Sequence, residues 1–455
     1  MSDVTAAQAD EAAQADPAAQ ADQAARAPGR AAPLDGVRVL EVGTVIMAPY
    51  AGKILRDLGA DVIRAEPPGG DIGRRSGLLG PEGTAALSMN LNAGKRSIVV
   101  DARTEEGRTH GDALVGWADI VLTNTLPARR RDFGLDWDQV HAVNPRAILV
   151  TGQGFATTSP RGDEPAYDDI VQAASGVADT YRLRDGEPRY SPYVVADKVC
   201  GMTMAQSALA ALHARNADGE GTWVDVPMVD TMAAFILVEH MGGITFDPPA
   251  GPVGWSRVLA PEHRPHPAQD GWVCVMPYTD ANWRRFCALI DRPDYVTDER
   301  VATSRARSGA PALYERILAE YIAPRTCATI EAECAAAGIP VHRVTRIDDL
   351  ADDPYLARRP VLTRAQHRAE GGWVHVSGPA EFHGHARPGP VDTTPADTDR
   401  AEILRMLGLD PSPTADTEAG AGSAADGPVP GATGAAEAEA GSAGAADSAV
   451  DRPGG

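Results

Sequence analysis

The segment from Ala166 to Gly201 concentrates the side chains best suited to chemistry. Tyr167, Asp168 and Asp169 stand together. A further aspartate, Asp197, follows the β-prone run Tyr193-Val194-Val195-Ala196 and precedes a helical run beginning near Gly201. A carboxylate at a strand-to-helix junction can sit at the edge of a core while both elements hold it rigidly, which suits a nucleophile or a base. The same position suits a helix N-cap, a role for which aspartate is favoured. The local sequence leaves both roles open.

Other constellations do not assemble. His263 and His266 lie among prolines and lack the i, i+4 spacing of a helical zinc site. His383 and His385 alternate as a solvent-facing strand pair with no third ligand nearby. Neither a GxSxG elbow nor a GxxxxGK[ST] phosphate loop occurs. The five cysteines, Cys200, Cys274, Cys287, Cys327 and Cys334, form no CxxC pair, so neither a metal nor a disulfide framework is expected.

The elements that position Asp197 read as an α/β fold. Strand-like runs lie at 37–42, 61–65, 97–101, 118–124, 147–151 and 223–226, with helical stretches between most of them, the first started by Pro49. Repeated βαβ units imply a parallel sheet. The turn after the first strand, Gly43-Thr44-Val45-Ile46-Met47-Ala48-Pro49, lacks the GxGxxG spacing of a dinucleotide-binding turn. The loop EPPGGDIGRR offers Arg74 and Arg75 as phosphate contacts or as a plain surface turn. A helix from Met228 to about Met241 is apolar nearly all round and is expected to be buried. A Pro-, Gly- and His-rich stretch from Asp247 to Pro267 reads as a linker or active-site loop, followed by a smaller, mostly helical region to Ala337.

The ends differ in composition. Residues 1–31 are mainly Ala, Gln and Asp, and residues 411–455 are Ala, Gly, Ser, Pro and acids; both are expected to be disordered because they cannot bury enough apolar surface. The formal charge is −21; residues 1–31 carry −3 and residues 410–455 carry −7, which leaves −11 between them. An acidic body argues against nucleic-acid binding. With no signal-peptide pattern and no membrane-length apolar run, a soluble cytoplasmic protein with reduced thiols is expected.

Several long motifs in order carry a resemblance. They are PLDGVRVLEVGTVIMAPYAGKILRDLGADVIRAEPPGGD, NLNAGKRSIVVD, the turn at Asn124, GEGTWVDVPMVD, GIPVHRV and DDLADDPYLARR. Through them the chain, from roughly Pro33 to Asp410, resembles the family III CoA-transferases, a group that also contains the α-methylacyl-CoA racemases. The resemblance implies a Rossmann-like large domain built from N- and C-terminal portions (32–225 and 338–410). A linker and smaller inserted α+β domain (226–337) would lie between them, and two chains would interlock as a homodimer. It makes Asp197 the catalytic nucleophile, passing through an acyl-aspartyl anhydride and an aspartyl-CoA thioester, with Tyr167 and Asp168 beside it. An aspartate with an ordinary pKa near ~4 would be ionised at neutral pH without help. The substrates would be an acyl-CoA and a carboxylic acid, with no tightly bound cofactor.

Positions matching the family's CoA contacts are Val45, Ile46, Met47, Asn124, Thr125 and Phe133, and Lys95 and Arg96 are expected to face phosphates. Racemases have a histidine at the place of Tyr167, so a racemase is the less favoured reading; an inactive acyl-CoA-binding protein is a third. Two departures stand out. Pro67 replaces an arginine found in some members, and VDTTPADT (Val391 to Thr398) replaces the usual LGEHT segment. The Gly251–Pro267 segment is the candidate for a loop closing over the anhydride.

Overall fold

The computed structural model describes residues 29–411. The disorder expected for the two ends therefore falls, apart from residues 29–31 and 411, outside the described residues. The described chain opens with β1 (Arg38–Val42), α1 (Met47–Asp57), β2 (Asp61–Glu66), α2 (Ala86–Asn92), β3 (Arg96–Val99), α3 (Glu105–Trp117), β4 (Ile120–Thr123), α4 (Trp137–Val143) and β5 (Ile148–Gln153). Next come α5 (Asp168–Ala174), α6 (Val177–Asp185), the long α7 (Val195–Asp218), β6 (Thr222–Pro227) and α8 (Met228–His240). Six strands form one wholly parallel sheet in the order β3-β2-β1-β4-β5-β6.

Period-2 alternation sorts the strand side chains onto two cores. Val39, Ile120, Leu122, Ile148 and Val150 face the cluster built with α1, α7 and α8. Leu40, Ile63, Ile98, Val121 and Leu149 face the cluster built with α3 and α4. Because both faces are covered, β4 and β5 are buried along their whole length and read as continuous apolar runs. Helix α7 packs close on α1 because Gly201 has no side chain: a Cβ there would lie 2.7 Å from the Met47 carbonyl oxygen.

Beyond α8, β7 (His266–Ala268), β8 (Gly271–Val275), α9 (Asp280–Leu289), α10 (Pro311–Ile322), α11 (Cys327–Ala336) and β9 (Val341–Arg343) follow. The three strands pair antiparallel as β7-β8-β9. The helices enclose a separate cluster centred on Trp283, Phe286, Ile317 and Ile330. The strand Val341–Arg343 thus pairs with β8, not with the parallel sheet. The hairpin β10 (Leu362–His367) and β11 (Gly371–Val376) comes next, and α12 (Arg400–Met406) packs its Ile403 and Leu404 into the α3 side of the large sheet.

The Val391–Asp399 segment guards the open edge of that sheet. Asp399 accepts the Ser97 N–H and Asp397 accepts the Val99 N–H, each at 2.7 Å, so β3 presents fewer free amides to another chain.

Two expectations change. The run Tyr193–Ala196 is not a strand: α7 begins at Val195, six residues before Gly201, and has Val194 as its N-cap. Asp197 is neither a junction residue nor a cap but lies in the helix's first turn. Helix α8 is not buried all round, since only Met228 and Met232 are covered, while Phe235 and Val238 are 55% and 86% exposed.

Candidate active site

In an open parallel sheet the crevice opens where strand order reverses, outside the carboxyl ends of the strands. Here that point lies between β1 and β4, and a cavity of about 520 Å³ occupies it. Its walls come from the turn after β1 (Gly43–Met47), the turn after β4 (Asn124–Leu126), Phe133 and Leu135, the end of β5 (Gly152–Gly154), and Ala166, Tyr167, Asp197 and Met228. The volume is in the range that holds a small-molecule cofactor or substrate.

The turn after β1 is held in an unusual conformation. Val45, a β-branched residue, has φ = 60°, a region costly for such a side chain. Two clamps keep it there. Asp71 accepts the Val45 N–H at 3.1 Å. Asn124 accepts the Thr44 N–H at 2.8 Å and donates to the Thr44 carbonyl at 3.1 Å. Asn124 therefore lines the cavity while its amide closes on the neighbouring turn. Asn124→Ala should remove both bonds, about 1 kcal/mol each, and loosen the turn. Steady-state kinetics should show KM for the substrate that fills this cavity rising about tenfold with kcat changed less.

Asp71 is itself anchored in a buried charge network. Arg64 reaches Glu41 at 2.7 Å, Asp71 at 2.5 Å and Glu66 at 3.4 Å. Lys95 pairs with Glu41 at 2.7 Å, and Arg74 with Glu66 at 2.5 Å. Three acids thus face three cations. Burial works against the Glu66 charge, yet Arg74 and Arg64 outweigh it and hold its carboxyl down at about 2. Burial lowers Lys95 to about 8, with Glu41 opposing the fall.

The expectation that Lys95 and Arg96 face phosphates is not met. Lys95 is turned inward to Glu41 and the Pro49 carbonyl. Arg96 pairs with Asp61 at 2.5 Å and lies over the Trp117 ring. Neither lines the cavity. Arg74 is likewise taken up by Glu66 and the Thr394 carbonyl.

Asp197 does line the cavity, and so does Tyr167, which is 69% exposed. Asp168 sits behind them, buried, as the first residue of α5. One of its carboxylate oxygens accepts the Asp197 N–H at 3.0 Å, satisfying a free amide at the start of α7. The other accepts from Gln172 at 2.5 Å, and Gln172 in turn accepts the Ser191 N–H. Asp168 is therefore a positioning residue for the α7 N-terminus.

Burial, and secondly the Asp168 charge, raise the Asp197 carboxyl to about 7. The ordinary value near 4 expected from sequence does not apply: the carboxyl keeps its proton well above the usual carboxylate range. Its deprotonated form is more basic, and so a better nucleophile, than an exposed aspartate.

Of the positions singled out in sequence, the fold brings Val45, Ile46, Met47, Asn124, Thr125, Phe133, Tyr167 and Asp197 to one cavity. Pro67 lines it too, and Arg108, Asp112, Arg131, Asp132, the Gly152–Gly154 end of β5 and Met228 join them without having been foreseen. The Gly152–Gly154 turn carried a usable signal, being a glycine pair at the end of a buried strand in a parallel sheet. No residue of 251–267 lines the cavity. His263 and His266 instead bond to one buried carboxylate, Glu315 on α10, at 3.1 and 3.0 Å. Among the described residues no cluster suited to a metal occurs, and no helix is long and apolar enough to cross a membrane.

A model of CoA-transferase family III matches residues 34–396. The chain belongs to CoA-transferase family III. Relatives include a succinate–glutarate CoA-transferase of Agrobacterium fabrum, 31% identical over 354 residues, covering 76% of this chain and 88% of the relative. A formyl-CoA:oxalate CoA-transferase of Escherichia coli O157:H7 is 30% identical, covering 77% and 90%. A CAIB/BAIF family protein from Brucella suis superposes with a TM-score of 0.71 at 27% identity, over 83% of this chain and all of the other.

Proposed function

We propose that this family III member moves CoA from an acyl-CoA donor to a carboxylic acid acceptor by covalent catalysis on Asp197. The observation that carries the reading is the placement of one raised-pKa aspartate on the wall of the switch-point cavity, beside turns held rigidly by Asn124 and Asp71.

In the first step an Asp197 carboxylate oxygen attacks the thioester carbonyl. The C–S bond breaks, giving an acyl-aspartyl anhydride and CoA thiolate. The thiolate then attacks the aspartyl carbonyl, releasing the donor acid as its carboxylate and leaving Asp197 as a CoA thioester. The acceptor carboxylate reverses these two steps, leaves as the new acyl-CoA and restores Asp197. No proton is consumed, and exchange between thioesters is close to thermoneutral, so positioning supplies most of the rate. Tyr167 stands at the cavity wall next to the nucleophile, and Asp168 fixes the α7 N-terminus from behind. The test is acceptor-dependent exchange of labelled acid into acyl-CoA, present in the native chain and absent in Asp197→Ala.

The same reading takes the region from α8 to β9 as a smaller inserted domain and the working enzyme as an interlocked homodimer in the cytoplasm, where its free thiols persist. The apolar residues that α8 leaves uncovered, Phe235 and Val238 with Phe246 beyond the helix, support a second copy as their cover. Sedimentation equilibrium should return twice the chain mass, and Val238→Glu with Phe235→Glu should shift it toward monomer.

A further inference from the structure

The first turn of α7 carries Asp197 but is not held by its own cap. Val194, the N-cap, makes no side-chain hydrogen bond to the helix. The turn's first backbone bond, from the Lys198 N–H to the Val194 carbonyl, is long at 3.4 Å. A helix start usually takes its free N–H groups to a Ser, Thr, Asp or Asn side chain at the cap. Here the acceptor comes from another helix: Asp168 on α5 takes the Asp197 N–H.

Asp168 is in turn held by Gln172, four residues along α5 and on the same face. The Gln172 amide can lie only one way round. Its oxygen must accept the Ser191 N–H at 2.9 Å, and its nitrogen must donate to Asp168 at 2.5 Å. Ser191 leads into α7 through Pro192, and its hydroxyl lies 3.3 Å from that of Tyr181 on α6. The two α5 side chains therefore grip the segment 191–197 at both ends. Gln172 is fully buried and Asp168 is 6% exposed within a single chain, so a second copy packed over the cavity leaves this grip as it is.

We infer that Gln172 is a positioning residue for Asp197, holding the first turn of α7 where its carboxylate meets the thioester carbonyl. This rests on the CoA-transfer reading above. Without the amide, one Asp168 oxygen and the Ser191 N–H are buried with no partner. Rotation of Asp168 and loosening of the segment 191–197 relieve that penalty. Loosening displaces the nucleophile but leaves the turns of Val45 and Asn124, which hang on other strands, in place. A misplacement of about 1 Å can lower a rate about 100-fold, so the loss falls on the chemical step and not on binding.

The experiment compares the full native chain with Gln172→Met and Gln172→Asn. Exchange of labelled acetate, hexanoate and succinate into acetyl-CoA, hexanoyl-CoA and succinyl-CoA gives kcat and KM, calorimetry with free CoA reports an intact fold, and deuterium uptake reads the amides of 195–197. Gln172→Met keeps the volume and removes both bonds: kcat should fall about 100-fold with KM changed less than about threefold, and the amides should exchange at least about tenfold faster. Gln172→Asn keeps an amide too short to reach both partners, so it should show a smaller loss on the same parameter, and it carries the test if the methionine variant does not fold. Native-like kcat in a variant that still binds CoA, a loss confined to KM, or a fall in kcat with unchanged deuterium uptake would each overturn the positioning role while leaving CoA transfer standing. A native chain that exchanges none of these acids would overturn CoA transfer itself and this inference with it.

Discussion

Asp197→Asn should lower acceptor-dependent exchange by about 10⁴-fold or more, and at the same time make the protein more stable above pH 7. The first effect follows from the amide's inability to form the anhydride. The second follows from proton linkage. The folded-state pKa of Asp197 is raised to about 7, against about 3.9 in an unfolded chain. The folded state therefore holds this proton more tightly, and the stability it confers, full below about pH 4, is lost as pH rises through 7. Three pKa units would correspond to about 4 kcal/mol at full weight; with the carboxylate partly open to the cavity, about 1–2 kcal/mol is expected. Asparagine is neutral throughout and escapes this penalty. Melting curves of both proteins should diverge at pH 8, with the variant higher, and converge near pH 4. For the native chain, kcat/KM should climb with pH and level off above about 7. Equal melting temperatures at pH 8 would contradict the buried, proton-retaining Asp197 described above.

Arg64→Met should destabilise the fold by about 3–5 kcal/mol, because it leaves Glu41, Glu66 and Asp71 buried with one cation fewer. The loss should reach the site as well. Asp71 would no longer be fixed against the Val45 N–H, so the strained turn after β1 should relax and KM for acyl-CoA should rise. Arg96→Met is the matched control. Its partner Asp61 is exposed, so it should cost less than about 1 kcal/mol. Urea denaturation of both variants separates the two cases, and similar midpoints would argue against the network as an anchor.

How much of this was legible beforehand follows from which signals are local. The six strands of the parallel sheet were readable because buried parallel strands are continuous apolar runs between Gly and Pro punctuation, as at Ile120–Thr123 and Ile148–Gln153. Asp197 itself came from its setting and the family motifs. Its helical position did not, since Tyr193-Val194-Val195-Ala196 has strand propensity that the tertiary packing of α7 on α1 overrides. Lys95 and Arg96 looked like phosphate ligands because a basic pair in a motif gives no hint that Glu41, 54 residues before Lys95 in sequence, faces that lysine in the core. The raised pKa of Asp197 could not be read either, because burial and the approach of Asp168 exist only after folding. Helix α8 shows the reverse error: composition marked its face as one that must be covered, but not that this chain by itself leaves Phe235 and Val238 open.

The most direct test of the central claim is mass spectrometry of the protein incubated with a panel of acyl-CoAs and quenched with hydroxylamine or borohydride. A modification is expected on Asp197 that is absent from Asp197→Ala and appears only with thioesters that also support exchange. A thioester that demonstrably binds and exchanges its acid while leaving Asp197 unmodified would contradict covalent transfer through this residue.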